Sequence, residues 1–164
     1  MSKDEGGPNS AARNAELRGL VSMKMIHLFA LLRRSGLLAQ KRLFDLSEIE
    51  WRIMVQLGYT APLSLNGLAD ALVQDRGQLS RAVKGMVARG LVTRERKPGG
   101  PEIEIDLSDD GKLLHGKMIK LAVDRDLGLT DGIDGGALAT VIEVTEVMIS
   151  RAEAMLDREQ QAGT

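Results

Sequence analysis

Apolar residues along this chain recur mostly at the helical period, with one short stretch at the period of a strand. Leu17, Leu20, Val21, Met25, Leu28, Leu31, Leu32 and Leu38 mark a long first helix ending near Ala39. Its apolar surface is wider than a single core-facing stripe. A second helix is expected from Ser47, where Ser-Glu-Ile-Glu has the form of a capping box, and it carries Trp51, Met54, Val55 and Leu57 as far as Gly58. Leu63 to Leu72 reads as a short third helix capped by Asn66 or Ser64, and only Val73-Gln74 separates it from Asp75, the cap of a fourth. That fourth helix repeats Leu79, Val83 and Met86 on one side, and Gly90 supplies a left-handed residue to end it.

After Gly90 the period falls to two. A run from Leu91 to Arg96, then Lys97-Pro-Gly-Gly-Pro-Glu, then Ile103, Ile105 and Leu107 alternating with Glu104 and Asp106 predicts a β-hairpin with a Pro/Gly tip. Two short helices joined by so tight a turn, with a hairpin directly behind them, make a helix-turn-helix and a wing. Ser108-Asp-Asp-Gly caps a fifth helix carrying Leu113, Leu114, Met118, Ile119, Leu121 and Ala122, and Asp126 to Asp134 reads as a Gly- and Asp-rich break. In the last helix Leu138, Val141, Thr145, Met148, Ala152 and Met155 form a coiled-coil-like seam, widened by Ile142, Ile149 and Leu156. The excess apolar surface predicts that the first and last helices pack on another subunit. Residues 1–15, rich in Gly, Ser, Asn and charge, are expected to form a mobile tail.

Composition narrows the picture. With 164 residues and 43% apolar content the chain can build one real core, and 2% aromatic content leaves that core to Leu, Val, Ile, Ala and eight Met, which suits helices. No cysteine is present, so disulfides, thiolate zinc sites and thiol redox sensing are excluded. The start of the chain lacks the pattern of a signal peptide, and the longest uncharged apolar stretch, Met25 to Leu32, falls far short of the roughly 20 residues a membrane span needs. A soluble cytoplasmic protein is expected.

Charge is unevenly distributed. The net charge is −1, yet residues 41–100 carry ten Lys or Arg against six Asp or Glu, and residues 101–164 carry six against fourteen. Between Arg76 and Lys97 seven positive residues face one negative, Glu95. One half of the chain can approach a polyanion and the other cannot. The positive segment coincides with the fourth helix, whose side away from Leu79, Val83 and Met86 carries Arg76, Gly77, Gln78, Ser80, Arg81 and Lys84. Such cationic, amide, hydroxyl and very small residues suit groove reading, with Gln78 able to pair with adenine and Arg76 or Arg81 with guanine or phosphate. Charge alone would fit a solvated face; the capped helix-turn-helix and wing around it favour DNA. The competing reading is a winged helix turned protein-interaction module.

No phosphate-cradling loop, nucleophile elbow or HExxH helix is present, so no enzyme activity is expected. Two histidines 88 positions apart give no metal spacing, and Asp124-Arg-Asp with Gly128 lacks the Gly and Glu a calcium loop requires. No metal and no cofactor is expected.

Several segments together resemble the MarR family of bacterial transcription regulators. Leu46-Ser-Glu-Ile-Glu-Trp-Arg-Ile-Met is similar to the family's second helix and Leu63 to Leu72 to its LSxxxLAxxL segment. Gln74-Asp-Arg-Gly-Gln-Leu-Ser-Arg-Ala-Val with Ala88-Arg-Gly-Leu-Val resembles its recognition helix and exit, and Leu107-Ser-Asp-Asp-Gly the start of its fifth helix. The resemblance covers nearly everything after residue 16. Behind the disordered tail (1–15) expected from composition, it implies a mainly α fold: an N-terminal dimerisation helix (16–45), a winged helix-turn-helix (46–107) with a small β-hairpin wing, and C-terminal dimerisation helices (108–164). It further implies a homodimeric repressor on a pseudo-palindromic operator, released when a small, often aromatic and anionic molecule binds between the DNA-binding lobe and the dimer helices. His27, Trp51 and His115 fall near that pocket, although each is also readable as a packing residue. The wing departs from the family. Where an Asp-x-Arg tip is usual, this chain has Gly99-Gly-Pro-Glu102, which leaves Arg94, Arg96 and Lys97 to meet phosphates.

Overall fold

The structure, a computed structural model, describes residues 16–96 and 103–163. In chain order its elements are α1 (Val21–Phe44), α2 (Glu48–Thr60), β1 (Leu63–Ser64), α3 (Leu65–Leu72), α4 (Arg76–Ala88), β2 (Val92–Arg96), β3 (Ile103–Leu107), α5 (Asp109–Thr130) and α6 (Gly135–Ala162). The chain divides into two compact units after Gly116. The expected tail and the tip of the hairpin lie outside the described residues.

Within the first unit, caps fix the helix starts. Ser47 accepts from the Glu50 amide while the Glu50 carboxylate takes the Ser47 N–H at 2.8 Å, so the capping box is complete. Ser64 rather than Asn66 caps α3, accepting from Gly67 N–H at 3.1 Å, and Asp75 caps α4 through Gln78 N–H at 2.9 Å. Each cap satisfies donors that the first helical turn would leave orphaned. The α4 exit closes on Gly90 at φ 69°, with Gly90 N–H donating to Val87 O and Leu91 N–H to Met86 O. A glycine is suited to that left-handed position because it has no Cβ to clash.

Three helix ends lie beyond the points where the apolar pattern stops. α1 continues past Ala39 to Phe44, because Gln40-Lys-Arg-Leu are good helix formers and left-handed Asp45 closes the end through its N–H to Lys41 O. α2 runs through Gly58 to Thr60, where the Thr60 hydroxyl and the Gln56 side chain bond at 2.7 Å. α5 reaches Thr130, whose hydroxyl donates to Asp126 O at 2.9 Å, so the expected break shrinks to the turn before α6.

The hairpin is part of a three-stranded antiparallel sheet in the order β1-β3-β2. β2 and β3 pair from Val92 opposite Leu107 to Arg96 opposite Ile103, and Leu63 opposite Ile105 adds β1 to the other edge. That third strand is two residues long, too short to show a period. The core lies between helices and sheet: Leu46, Ile53, Met54, Leu57, Leu68, Leu79, Met86 and Ile105 are all at most 2% exposed. Leu79, Val83 and Met86 are the buried stripe of α4, as their spacing predicts.

The start of α5 is tied to the α4 exit. Gly111 is buried there, and a Cβ on it would lie 2.0 Å from Leu91 O, so the backbone approach excludes any other residue without movement. Ser108 reinforces the junction, its N–H donating to Leu91 O and its hydroxyl accepting from Gly111 N–H at 2.9 Å.

The second unit holds the rest of α5 and the whole of α6. Asp134 caps α6 through Ala137 N–H at 3.0 Å, and the helix contains no buried residue. Leu138, Thr145 and Met148 of the expected seam are half-covered, while Val141, Ile142, Ile149, Met155 and Leu156 are exposed. Among the described residues no helix is long and apolar enough to cross a membrane.

Candidate nucleic-acid interface

With Leu79, Val83 and Met86 fixed in the core, the 100° step of the helix turns the opposite side of α4 outward. Arg76, Gly77, Gln78, Arg81 and Lys84 are exposed there, and Ser80 is half-buried. Arg94 and Arg96 are exposed on β2, whereas Lys97 lies outside the described residues, as do the rest of the Lys97–Glu102 segment and any minor-groove role it has. The structure thus brings the described groove-reading candidates together on α4 and sets two more on the strand that follows.

The cations of this region are not equivalent. Arg81 and Lys84 make no ion pair with any described residue. Arg76 is held back toward α3, donating to Asn66 Oδ1 at 3.1 Å. Arg89 turns away altogether: Nη1 donates to Glu50 Oε1 at 3.0 Å and Nη2 to Asp45 O at 3.1 Å. Sequence charge counting could not separate these fates, because the acceptors lie 39 and 44 residues earlier in the chain. Nearby, the Lys41 ammonium bonded to Asp45 holds that carboxyl below the usual aspartate range, through the hydrogen bond first and the direct charge attraction second.

An open cleft of about 670 Å³ runs along the flank of α4, lined in part by Arg33, Ser47, Arg52, Gln74, Gln78 and Arg81. Two of its arginines are committed to structure. Arg33 holds both carboxylate oxygens of Glu48 at 2.7 and 2.8 Å, and Arg52 donates to Leu72 O at 2.6 Å, closing the last turn of α3. Gln78 and Arg81 therefore face this cleft as well as solvent.

The three residues expected near an effector pocket are placed separately. His27 is exposed on α1. Trp51 is half-buried on α2 with its ring 6.0 Å from that of Phe44. His115 is half-buried on α5 and packs so closely on Gly58 that a Cβ there would lie 2.1 Å from Nε2. None of the three lines the cleft beside α4. Gly58, which reads in sequence as a helix stop, is in the structure a seat for the His115 ring. Among the described residues no group of three or more His, Cys, Asp or Glu is placed to hold a metal ion.

A capped pair of short helices, an outward-facing second helix and an antiparallel wing define a winged helix-turn-helix. The sequence profile of the MarR family matches residues 44–100, the segment that contains α2, both helices of the motif and the first wing strand. Over that segment, about a third of the chain, the sequence is similar to the MarR family.

Solved structures agree on the fold. A MarR family regulator from Silicibacter pomeroyi DSS is 21% identical, with 93% of this chain and 98% of that one aligned at a TM-score of 0.66. FabT of Streptococcus pneumoniae, solved in complex with DNA, is 14% identical over 82% of this chain and 96% of its own, at a TM-score of 0.71. Apo MarR from E. coli is 18% identical over 79% and 97%, at 0.65. No curated protein matches the sequence.

Proposed function

We propose that this protein is a DNA-binding transcriptional regulator, a homodimeric repressor that reads a pseudo-palindromic operator with one α4 helix in each half-site. The observation that carries the proposal is the exposed face of α4, where Gln78, Arg81 and Lys84 stand clear of the core on a helix capped at its start and closed by Gly90. Arg76, Gly77 and Ser80 complete the reading surface, and Arg94, Arg96 and Lys97 are assigned to backbone phosphates. FabT, which shares the fold and was solved in complex with DNA, supports DNA as the partner. No catalytic step is proposed.

Dimerisation is supported by apolar side chains left in solvent on α1 and on α6. Leu28, Phe29 and Leu31 on α1 are 45–66% exposed, and Val141, Ile142 and Leu156 on α6 are 58–63% exposed. A second copy of the chain presents the same surfaces and so can cover them symmetrically. On this reading residues 16–45 and 108–164 serve dimerisation and 46–107 serve DNA. Release by a small aromatic or anionic molecule would act as a population shift between spacings of the two reading helices. Trp51, with His27 and His115, is assigned to that ligand's site. A ligand that frees DNA is expected to change Trp51 fluorescence, and release without such a change would remove the assignment.

The test of DNA binding is the salt dependence of affinity for duplex. Counterion release predicts a steep linear fall of log K with log salt, and Arg81→Ala is expected to lower the slope by about 1 if it neutralises one phosphate. A protein-interaction module, having no phosphates to neutralise, would show no such fall.

A further inference from the structure

Arg89 stands at the C-cap of α4 and belongs by sequence to the cationic segment, yet its guanidinium points to the corner between α1 and α2. We infer that Arg89 and Glu50 form a positioning pair that sets the tilt of α4 for reading DNA, and that Arg89 itself makes no DNA contact. The inference rests on the DNA-binding role proposed above.

Glu50 is the junction. One carboxylate oxygen, Oε2, takes both the N–H and the hydroxyl of Ser47 at 2.8 Å and so caps α2, while Oε1 takes Arg89 at 3.0 Å. Its side chain is only 15% exposed and that of Arg89 37%. The second Arg89 donor reaches Asp45 O, the carbonyl of the left-handed residue that ends α1. Asp45 is itself tied to α1 through its N–H to Lys41 O and its carboxylate to Lys41 Nζ. A planar guanidinium can hold a carboxylate and a carbonyl at once, whereas an ammonium acts as a single point charge.

The consequence is mechanical. The last turn of α4 is bonded to the one corner shared by α1, whose apolar face awaits a partner, and α2, whose start Glu50 caps. A small change in the direction of α1 reaches the reading helix through Arg89, while the buried stripe of Leu79, Val83 and Met86 holds the other side of α4 to the core.

The experiment compares wild type, Arg89→Gln, Arg89→Lys and Glu50→Gln on two duplexes, one selected by the wild-type protein from a random pool and one scrambled, across a salt series. Folding is monitored by circular dichroism. The expected result for Arg89→Gln is about tenfold weaker binding to the selected duplex, unchanged binding to the scrambled one, and an unchanged salt slope. Arg89→Lys, which keeps the charge but lacks the planar fork that spans both acceptors, is expected to restore part of the loss. Combining Arg89→Gln with Glu50→Gln should cost no more than Arg89→Gln alone, because the contact that Glu50→Gln weakens is already lost with Arg89. A salt slope reduced by about 1 in Arg89→Gln would show a phosphate contact and overturn the inference while leaving DNA binding intact. Unchanged selectivity in folded Arg89→Gln would overturn it too, since a merely stabilising contact does not alter the affinity of the folded fraction. Failure of wild type itself to bind any duplex with salt dependence would overturn the DNA reading and this inference with it. Should Arg89→Gln not fold, the Arg89→Lys and Glu50→Gln proteins carry the same comparison.

Discussion

The winged-helix segment and the two long terminal helices are built from similar apolar residues and bury them very differently. Among the described residues, every buried apolar side chain except Ala39 and Met118 lies between Leu46 and Leu107. α6, the longest helix, buries none, and α1 buries only Ala39. The winged-helix segment therefore completes its core from its own chain, whereas the terminal helices carry apolar surface that one copy of the chain leaves in water. The contrast teaches that apolar periodicity gives the position of a helix but not the identity of what covers it. Stability of the first region should be a property of the monomer, and stability of the second a property of the proposed dimer.

The sharpest way to break that comparison is a pair of truncations. Leu79→Ala removes a side chain that is fully buried and should cost about 3 kcal/mol at every protein concentration, as measured by denaturant unfolding. Ile142→Ala removes one that is 63% exposed in the single chain, so its cost should be visible only at concentrations where the dimer forms. Equal, concentration-independent costs would show that the two regions are not different in kind.

A second test sharpens the junction between them. Gly111→Ala places a methyl group against the Leu91 carbonyl and should destabilise by about 2 kcal/mol, because backbone rather than a flexible side chain must move. A melting temperature unchanged by this substitution would mean that α5 begins without the close approach described. The smallest effect is expected within the helix-turn-helix. Val73 holds φ 50° while 87% exposed, a conformation unfavourable to a β-branched residue and not repaid by burial. Val73→Gly should stabilise by about 1 kcal/mol, the relief of left-handed strain outweighing the added freedom of the unfolded glycine. A loss of stability would show that the turn is unstrained.

Much of the reading segment was legible because its signals are local. The Ser47 capping box, the Asp75 cap, the Leu79-Val83-Met86 stripe and Gly90 all act within a few residues, and each stands where its chemistry predicts. The features that escaped are those made by distant partners. β1 is two residues that become a strand only because Leu63 meets Ile105. Gly58 and Gly111 read as helix punctuation, yet their lack of a Cβ serves His115 and Leu91 instead. Arg89 reads as one more cation, and only the fold shows it spent on Glu50 and Asp45. α1 and α5 outlast their apolar repeats for a different reason: helix formers continue after the repeat has stopped, and a stripe of core residues does not report them.

The measurement that bears most directly on the account is a selection of bound sequences from a random duplex pool, using purified protein at near-physiological salt and with its folding and dimerisation verified. The account predicts enrichment of an inverted repeat whose half-sites lie about one helical turn, roughly 10 base pairs, apart. Failure of a folded dimer to enrich any sequence would contradict it, and the exposed face of α4 would then be a surface for a protein partner.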